Sequence, residues 1–212
     1  MISIRPYRPT DRADVFDVCV RTGRRGQDAT GLYSIDDLLP DSYALPYVDR
    51  EPELAFVADN GERVVGYVIA TADTRAFAEW FTETWWPLVA DKYTHPASDA
   101  EEATIKSAAN PSRMLIDEVD EFPAHLPIDL LPEAQGQGLG RQLVDALCLA
   151  LADRGIPGLH LTMGADNVNA GAFYDRLGFL KLGSSTESAT TYGMLISDAA
   201  GHGNRIGRRS NQ

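Results

Sequence analysis

Three glycines in five residues, Gly136, Gly138 and Gly140, stand between an apolar run closed by a proline and a leucine-rich periodic stretch, in the order L-P-I-D-L-L-P-E-A-Q-G-Q-G-L-G-R from Leu126 to Arg141. This predicts a strand, a turn whose backbone approaches something closely, and a helix whose free N–H groups and positive dipole end face that turn. Such geometry holds an anion, most often a phosphate. Spacing rejects two common phosphate loops. A Walker loop requires Lys and Ser or Thr after its last glycine, where this chain has Arg141 and Gln142. The fingerprint G-x-G-x-x-G would require a glycine at Arg141. What remains is Gln/Arg-x-x-Gly-x-Gly/Ala, met by Gln135, Gly138 and Gly140. A glycine-rich connection without a ligand is the competing explanation.

A second segment narrows the choice. From Gly158 to Phe179 the chain reads G-L-H-L-T-M-G-A-D-N-V-N-A-G-A-F-Y-D-R-L-G-F, a strand, a polar loop and a short helix stopped at Gly178. Alone this is compatible with any amphipathic helix carrying a glycine C-cap. In this order, with Asn167, Ala170, Phe173, Tyr174, Leu177, Gly178 and Phe179 in register, the pair resembles the GNAT (GCN5-related) N-acetyltransferases, whose glycine loop binds the coenzyme A pyrophosphate. The resemblance implies an α/β (α+β) fold, the GNAT acyl-CoA N-acyltransferase fold, with a mixed, mostly antiparallel central sheet flanked by helices and a splay between strands 4 and 5. It covers most of the chain, read as one domain over 1–198 with a polar, basic tail over 199–212.

With 212 residues, 44% hydrophobic and 24% charged, the chain has enough apolar content for a sizeable core and is not a disordered sequence. No apolar run reaches membrane-spanning length and the amino terminus lacks a signal-peptide core, so a cytoplasmic protein without a membrane partner is expected. A net charge of −12 argues against nucleic acid and would favour a cationic acceptor, although a solvated acidic surface explains it equally well. Cys19 and Cys148 are expected as buried, reduced thiols. His95, His125, His160 and His202 lack metal-ligand spacing, so no metal is expected. Composition leaves monomer and homodimer open.

Along the chain, Thr10 is expected to cap a helix reaching about Thr22, and Ser34 with Asp37 to begin a short helix ended by Pro40. Asn60-Gly61 predicts a hairpin between strands at 54–59 and 63–72. Asp73 and Thr74 are placed to cap a helix carrying Phe77, Trp80, Phe81, Trp85 and Trp86, kinked or divided by Pro87. That aromatic stripe is wider than one buried face needs, so Trp85 or Trp86 is expected to line a cleft.

Gly66, Tyr67, Thr71, Asp73, Phe77, Trp85, Pro87, Lys92 and Tyr93, with Phe122, Pro123 and Asp129, look like the acetyltransferase-like domain at the carboxyl end of animal O-GlcNAcases. Those domains have lost the glycine loop and are regarded as pseudo-acetyltransferases; this chain keeps it and shows no glycoside hydrolase segment, which implies a free-standing relative able to hold acetyl-CoA.

On these resemblances the acetyl-CoA site comprises Leu130, Leu131, Gln135, Gly136, Gln137, Gly138, Leu139, Gly140, Arg141, Asn167, Ala170 and Tyr174. Backbone N–H groups of Leu130 or Leu131 would bond the pantetheine arm and thioester carbonyl, and Asn167 would meet the same arm. Tyr174 matches the general acid, a packed core tyrosine being the alternative. Asp129, flanked by Ile128 and Leu130, occupies a costly place for a carboxylate unless it faces a wet cleft, and is the first candidate for general base and for anchoring an ammonium. Asp73 is the second, with helix capping a sufficient explanation for it. Asp117, Glu118, Glu121 and His125, or a water chain, remain open. Acceptor contacts are expected from Asp73, Trp85, Trp86 and Asp129. The implied activity is acetyl transfer to the amine of a small molecule or peptide; the alternative is a non-catalytic acetyl-CoA-binding or protein-interaction module.

Overall fold

In the computed structural model, which describes residues 1–196, two four-stranded sheets share one crossing segment. The tail expected over 199–212, with His202, lies outside the described residues. Strand β1 (Ser3–Pro6) leads into helices α1 (Arg12–Thr22), α2 (Leu38–Tyr43) and α3 (Leu45–Arg50). Strands β2 (Phe56–Asp59) and β3 (Val64–Val68) form the hairpin that Asn60-Gly61 predicts, with Asn60 Oδ1 accepting the N–H groups of Glu62 and Arg63. Helix α4 (Thr74–Trp80), a π-helical turn and helix α5 (Trp86–Val89) follow as one run, then α6 (Asp99–Ala108). The remainder is β4 (Ala124–His125), β5 (Ile128–Leu130), α7 (Leu139–Asp153), β6 (Gly158–Gly164), α8 (Val168–Leu177), β7 (Leu180–Lys181) and β8 (Ala189–Leu195).

One sheet runs β1-β2-β3-β5 and the other β4-β6-β8-β7; every pairing is antiparallel except β4 with β6. The crossing segment makes the splay. Leu126 N–H still reaches His160 O on β6 at 3.3 Å, but Pro127 has no N–H to continue that ladder, and Ile128–Leu130 pair with β3 alone. The single fourth strand expected from sequence is therefore two, β4 and β5, and the expected opening lies where β5 parts from β6.

Alternation on β3 divides the core. Val65, Tyr67 and Ile69 face a cluster built with α1, α2, α3 and α4, whereas Val68 and Ala70 face one built with α7 and α8. Leu139, Leu143, Leu147 and Leu151 form the buried stripe of α7. Cys19 and Cys148 are buried free thiols.

Three local expectations change. Asp11, not Thr10, organises the start of α1: its carboxylate accepts the Arg8 N–H at 2.7 Å and pairs with the Arg5 guanidinium, and a 3₁₀ turn begins at Pro9. Pro40 does not end a helix but lies in the first turn of α2, where an N–H would have no intrahelical acceptor anyway; Pro46 does the same in α3. Pro87 continues the aromatic run because the turn before it, Phe81–Trp85, is a π turn, which accommodates a ring that an α-helical turn would drive into a carbonyl.

Buried Asp41 on α2 ties that run to the sheet's helical cover. Its carboxylate accepts from Lys92 Nζ at 2.8 Å and Tyr93 Oη at 2.6 Å, and its carbonyl accepts from Trp85 Nε1 at 2.7 Å. Asp41→Ala leaves two donors facing an apolar gap and is expected to cost about 2–3 kcal/mol, read as a lower urea midpoint with an unchanged slope.

Candidate active site

The glycine turn has the shape its spacing predicts, and each glycine has its own reason. Gly136 and Gly138 adopt φ of 73° and 77°, with open space where a Cβ would stand, so the left-handed backbone alone demands them. A Cβ on Gly140 would lie 2.9 Å from the Phe173 ring, so there the demand is close packing of α7 on α8. Gln135 Nε2 donates to Leu130 O at 2.9 Å and Gln137 Nε2 to Glu133 O at 2.6 Å, bracing the turn. Among the described residues, the N–H groups from Gly136 to Arg141 have no protein acceptor, being the turn and first turn of a 15-residue helix. Arg141 Nη2 donates to Arg176 O at 2.9 Å, tying the starts of this turn to the end of α8.

Within the splay, Leu130 and Leu131 separate. Leu131 N–H donates to Val65 O at 2.9 Å and is committed to β3, which corrects its place among the expected donors. By strand alternation the N–H of Leu130 points away from β3 toward the gap. Across the gap, Asn167 caps α8, its Oδ1 accepting the Ala170 N–H at 3.2 Å, with Ala170 itself in the first turn. Tyr174, one turn further on, is buried among Phe173, Phe179 and Tyr192, and burial together with nearby Asp129 pushes its phenol above the ordinary range. Its hydroxyl has no side-chain or backbone hydrogen-bond partner among the described residues.

Asp129 opens on a cavity of about 610 Å³ whose wall includes Cys19, Thr22, Arg25, Tyr33, Tyr43 and Asn167. Burial raises its carboxyl to about 6, opposed chiefly by the Tyr67 hydroxyl. Tyr67 Oη donates to Asp129 Oδ2 at 2.7 Å. Arg25 is the lone non-glycine residue with positive φ among the described residues, at 56°, and its guanidinium pairs with Asp166 beside Asn167.

Other expected site residues are placed elsewhere. Asp73 caps α4, accepting the Ala76 N–H at 3.0 Å, and does not line the cavity. Trp85 is spent on the Asp41 carbonyl, and Trp86 stacks between Phe81 and Tyr93 with centroids 5.9 and 5.8 Å away. The aromatic stripe is wide because the run turns through a π segment and buries more than one face. His125 is locked as a neutral ring: Thr74 donates its hydroxyl proton to Pro123 O at 2.7 Å and so accepts from His125 Nδ1 at 2.9 Å, while Tyr47 Oη donates to Nε2 at 2.6 Å. Burial holds that imidazole well below its ordinary range. Glu118 is held by Ser184, and Asp117 and Glu121 are exposed away from the cavity. Sequence reasoning missed Thr22, Tyr33, Tyr43 and Tyr67 as wall or support. Tyr67 alone carried a signal, since it belongs to the Gly-Tyr pair of the narrower resemblance. Gly66 also finds its reason here, as a Cβ would stand 2.9 Å from Asp129 O.

Among the described residues no three His, Cys, Asp or Glu cluster as metal ligands, and no helix is long and apolar enough to cross a membrane. The model of the Acetyltransferase (GNAT) family matches residues 110–179, from the segment before β4 to the end of α8. The crystal structure of SsHAT is 44% identical, covering 92% of this chain and 98% of that one with a TM-score of 0.86. PaiA N-acetyltransferase from Thermoplasma acidophilum, solved in complex with coenzyme A, shares the fold with a TM-score of 0.57 at 14% identity over 92% of this chain and 99% of that one. Protein O-GlcNAcase of Rattus norvegicus is 24% identical over 187 residues, 85% of this chain, and the chain spans about 20% of that relative's length.

Proposed function

The chain belongs to the GNAT acetyltransferase family, and from that premise we propose that it transfers an acetyl group from acetyl-CoA to the amine of a small molecule or peptide, by direct attack in a ternary complex. One observation carries the reading: amides opening α7 that have no protein acceptor among the described residues lie beside a splay at Leu130, next to a cavity lined by Asp129 and Asn167. Coenzyme A bound to the similar fold of the Thermoplasma acidophilum protein supports the same cosubstrate here.

The residues fit such a group. Gly136, Gln137, Gly138, Leu139, Gly140 and Arg141 would hold its diphosphate through backbone N–H groups, which suits an acidic chain because no basic patch is needed. Leu130 N–H would bond the pantetheine arm, and Asn167 with Ala170 at the start of α8 would border it. Acetyl-CoA would supply an acetyl group activated as a thioester. Asp129 would anchor an ammonium in the cavity and take its proton, freeing the nitrogen lone pair for the acetyl carbon. As the nitrogen attacks and the carbon–sulfur bond breaks, the Tyr174 hydroxyl would give its proton to sulfur and recover one from the nitrogen, which must shed its second proton to become an amide; a phenol kept protonated by burial is suited to that task.

Calorimetric titration with acetyl-CoA, followed by a thiol-release screen over spermidine, tyramine, glucosamine and a lysine tetrapeptide, tests the proposal. Tyr174→Phe is expected to lower kcat about tenfold to a hundredfold with acetyl-CoA binding unchanged. Binding without release of thiol on any amine would favour a non-catalytic module instead.

A further inference from the structure

We propose that Tyr67 is the positioning residue of the acceptor site, its phenol clamping Oδ2 of Asp129 so that the carboxylate is held at the cavity as an ammonium anchor. The inference rests on the acetyl-transfer reading and deepens it. Tyr67 and Asp129 are direct cross-strand partners, β3 against β5, so their side chains leave the sheet on the same face. Tyr67 is fully buried and has one acceptor, Asp129 Oδ2 at 2.7 Å. Thr22, the other hydroxyl near the carboxylate, already gives its proton to Val18 O at 2.7 Å. Tyr67 is therefore the donor that decides which way Asp129 points. Behind it lies the Cys19 thiol, which burial keeps protonated, so no second anion competes for the phenol proton.

The groups facing Asp129 make this donor matter. From α1 it faces Cys19 and Thr22, from β3 Tyr67, and from α8 Tyr174, while among the described residues Arg25 is the only other charged side chain lining the cavity. Arg25 is engaged with Asp166. With no cation paired to it among the described residues, the carboxylate depends on a neutral donor to remain an anion at neutral pH.

Tyr67→Phe removes one oxygen and keeps the packed ring. Using acetyl-CoA with whichever of the four screened amines is turned over, kcat is expected to fall about tenfold to a hundredfold at pH 7 while KM for acetyl-CoA stays constant. The acidic limb of the pH profile should move about one unit upward, and part of the loss should return above pH 8, which a merely distorted core would not produce. Carbon-13 NMR titration of Asp129, assigned with Asp129→Asn, reads the same carboxyl without turnover. The expected midpoint is near 6 in the wild type and higher in Tyr67→Phe, with a smaller move in Thr22→Val. An unmoved midpoint, a larger move in Thr22→Val, or a pH-independent loss of kcat overturns the proposal. Absence of turnover in the wild type would sink the acetyl-transfer reading, and the NMR midpoints would still decide the role of Tyr67.

Discussion

Asp129→Asn is expected to remove acetyl transfer, by at least about 100-fold in kcat, and at the same time to make the protein more stable above pH 6. The two effects have one origin. Burial lifts the carboxyl from 3.8 to about 6, so the folded chain holds a proton that the unfolded chain releases at lower pH. Between pH 4 and 6 the unfolded state ionises first, and folding stability therefore falls as pH rises through that window. A shift of two units corresponds to about 3 kcal/mol, discounted to about 1–2 kcal/mol because the side chain is partly exposed. Asparagine keeps an acceptor for the Tyr67 hydroxyl and carries no charge to desolvate. Thermal melts of both proteins should coincide near pH 4 and diverge toward pH 7, with the variant higher. A variant less stable than wild type at every pH would mark Asp129 as a structural residue and end its assignment as the acceptor carboxylate.

Gly138→Val is expected to weaken acetyl-CoA binding by about 100-fold or more with little change in global stability. The cause is backbone conformation. A Cβ at Gly138 meets nothing within 4 Å, but a β-branched residue cannot hold φ near 77°, so the turn must open and its amides stop converging. Because Gly138 is exposed, the cost falls on the loop alone. Gly140→Ala offers the contrast: its Cβ would meet the outer edge of the Phe173 ring at 2.9 Å, so the ring must yield while the left-handed turn keeps its shape. Calorimetry should show Gly138→Val losing enthalpy of binding with an intact melting transition, whereas Gly140→Ala should lower the melting temperature and leave affinity within a few fold of wild type. Equal affinity in Gly138→Val and wild type would remove the diphosphate from this turn.

The conservative motifs of the narrower resemblance resolve into support more than contact. Lys92, Tyr93 and Trp85 converge on Asp41, fixing α2, which lends Leu39 and Tyr43 to the cavity wall. Gly66 makes room for β5 and Tyr67 holds Asp129.

Chain order and backbone chemistry were legible in the amino acids themselves: the Asn-Gly hairpin, the Asp73 and Asn167 caps, the left-handed glycines and the leucine stripe of α7 each depend on residues a few positions apart. Local sterics and local hydrogen bonds determine such features before the chain collapses. Only the folded structure decided what lies across space. Whether Leu130 or Leu131 faces the gap depends on the register of β5 against β3, and whether Trp85 meets a ligand or Asp41 depends on a π turn that no periodicity announces. The charge state of Asp129 likewise belongs to the packing of three elements around it, because desolvation is a property of neighbours brought from far along the chain.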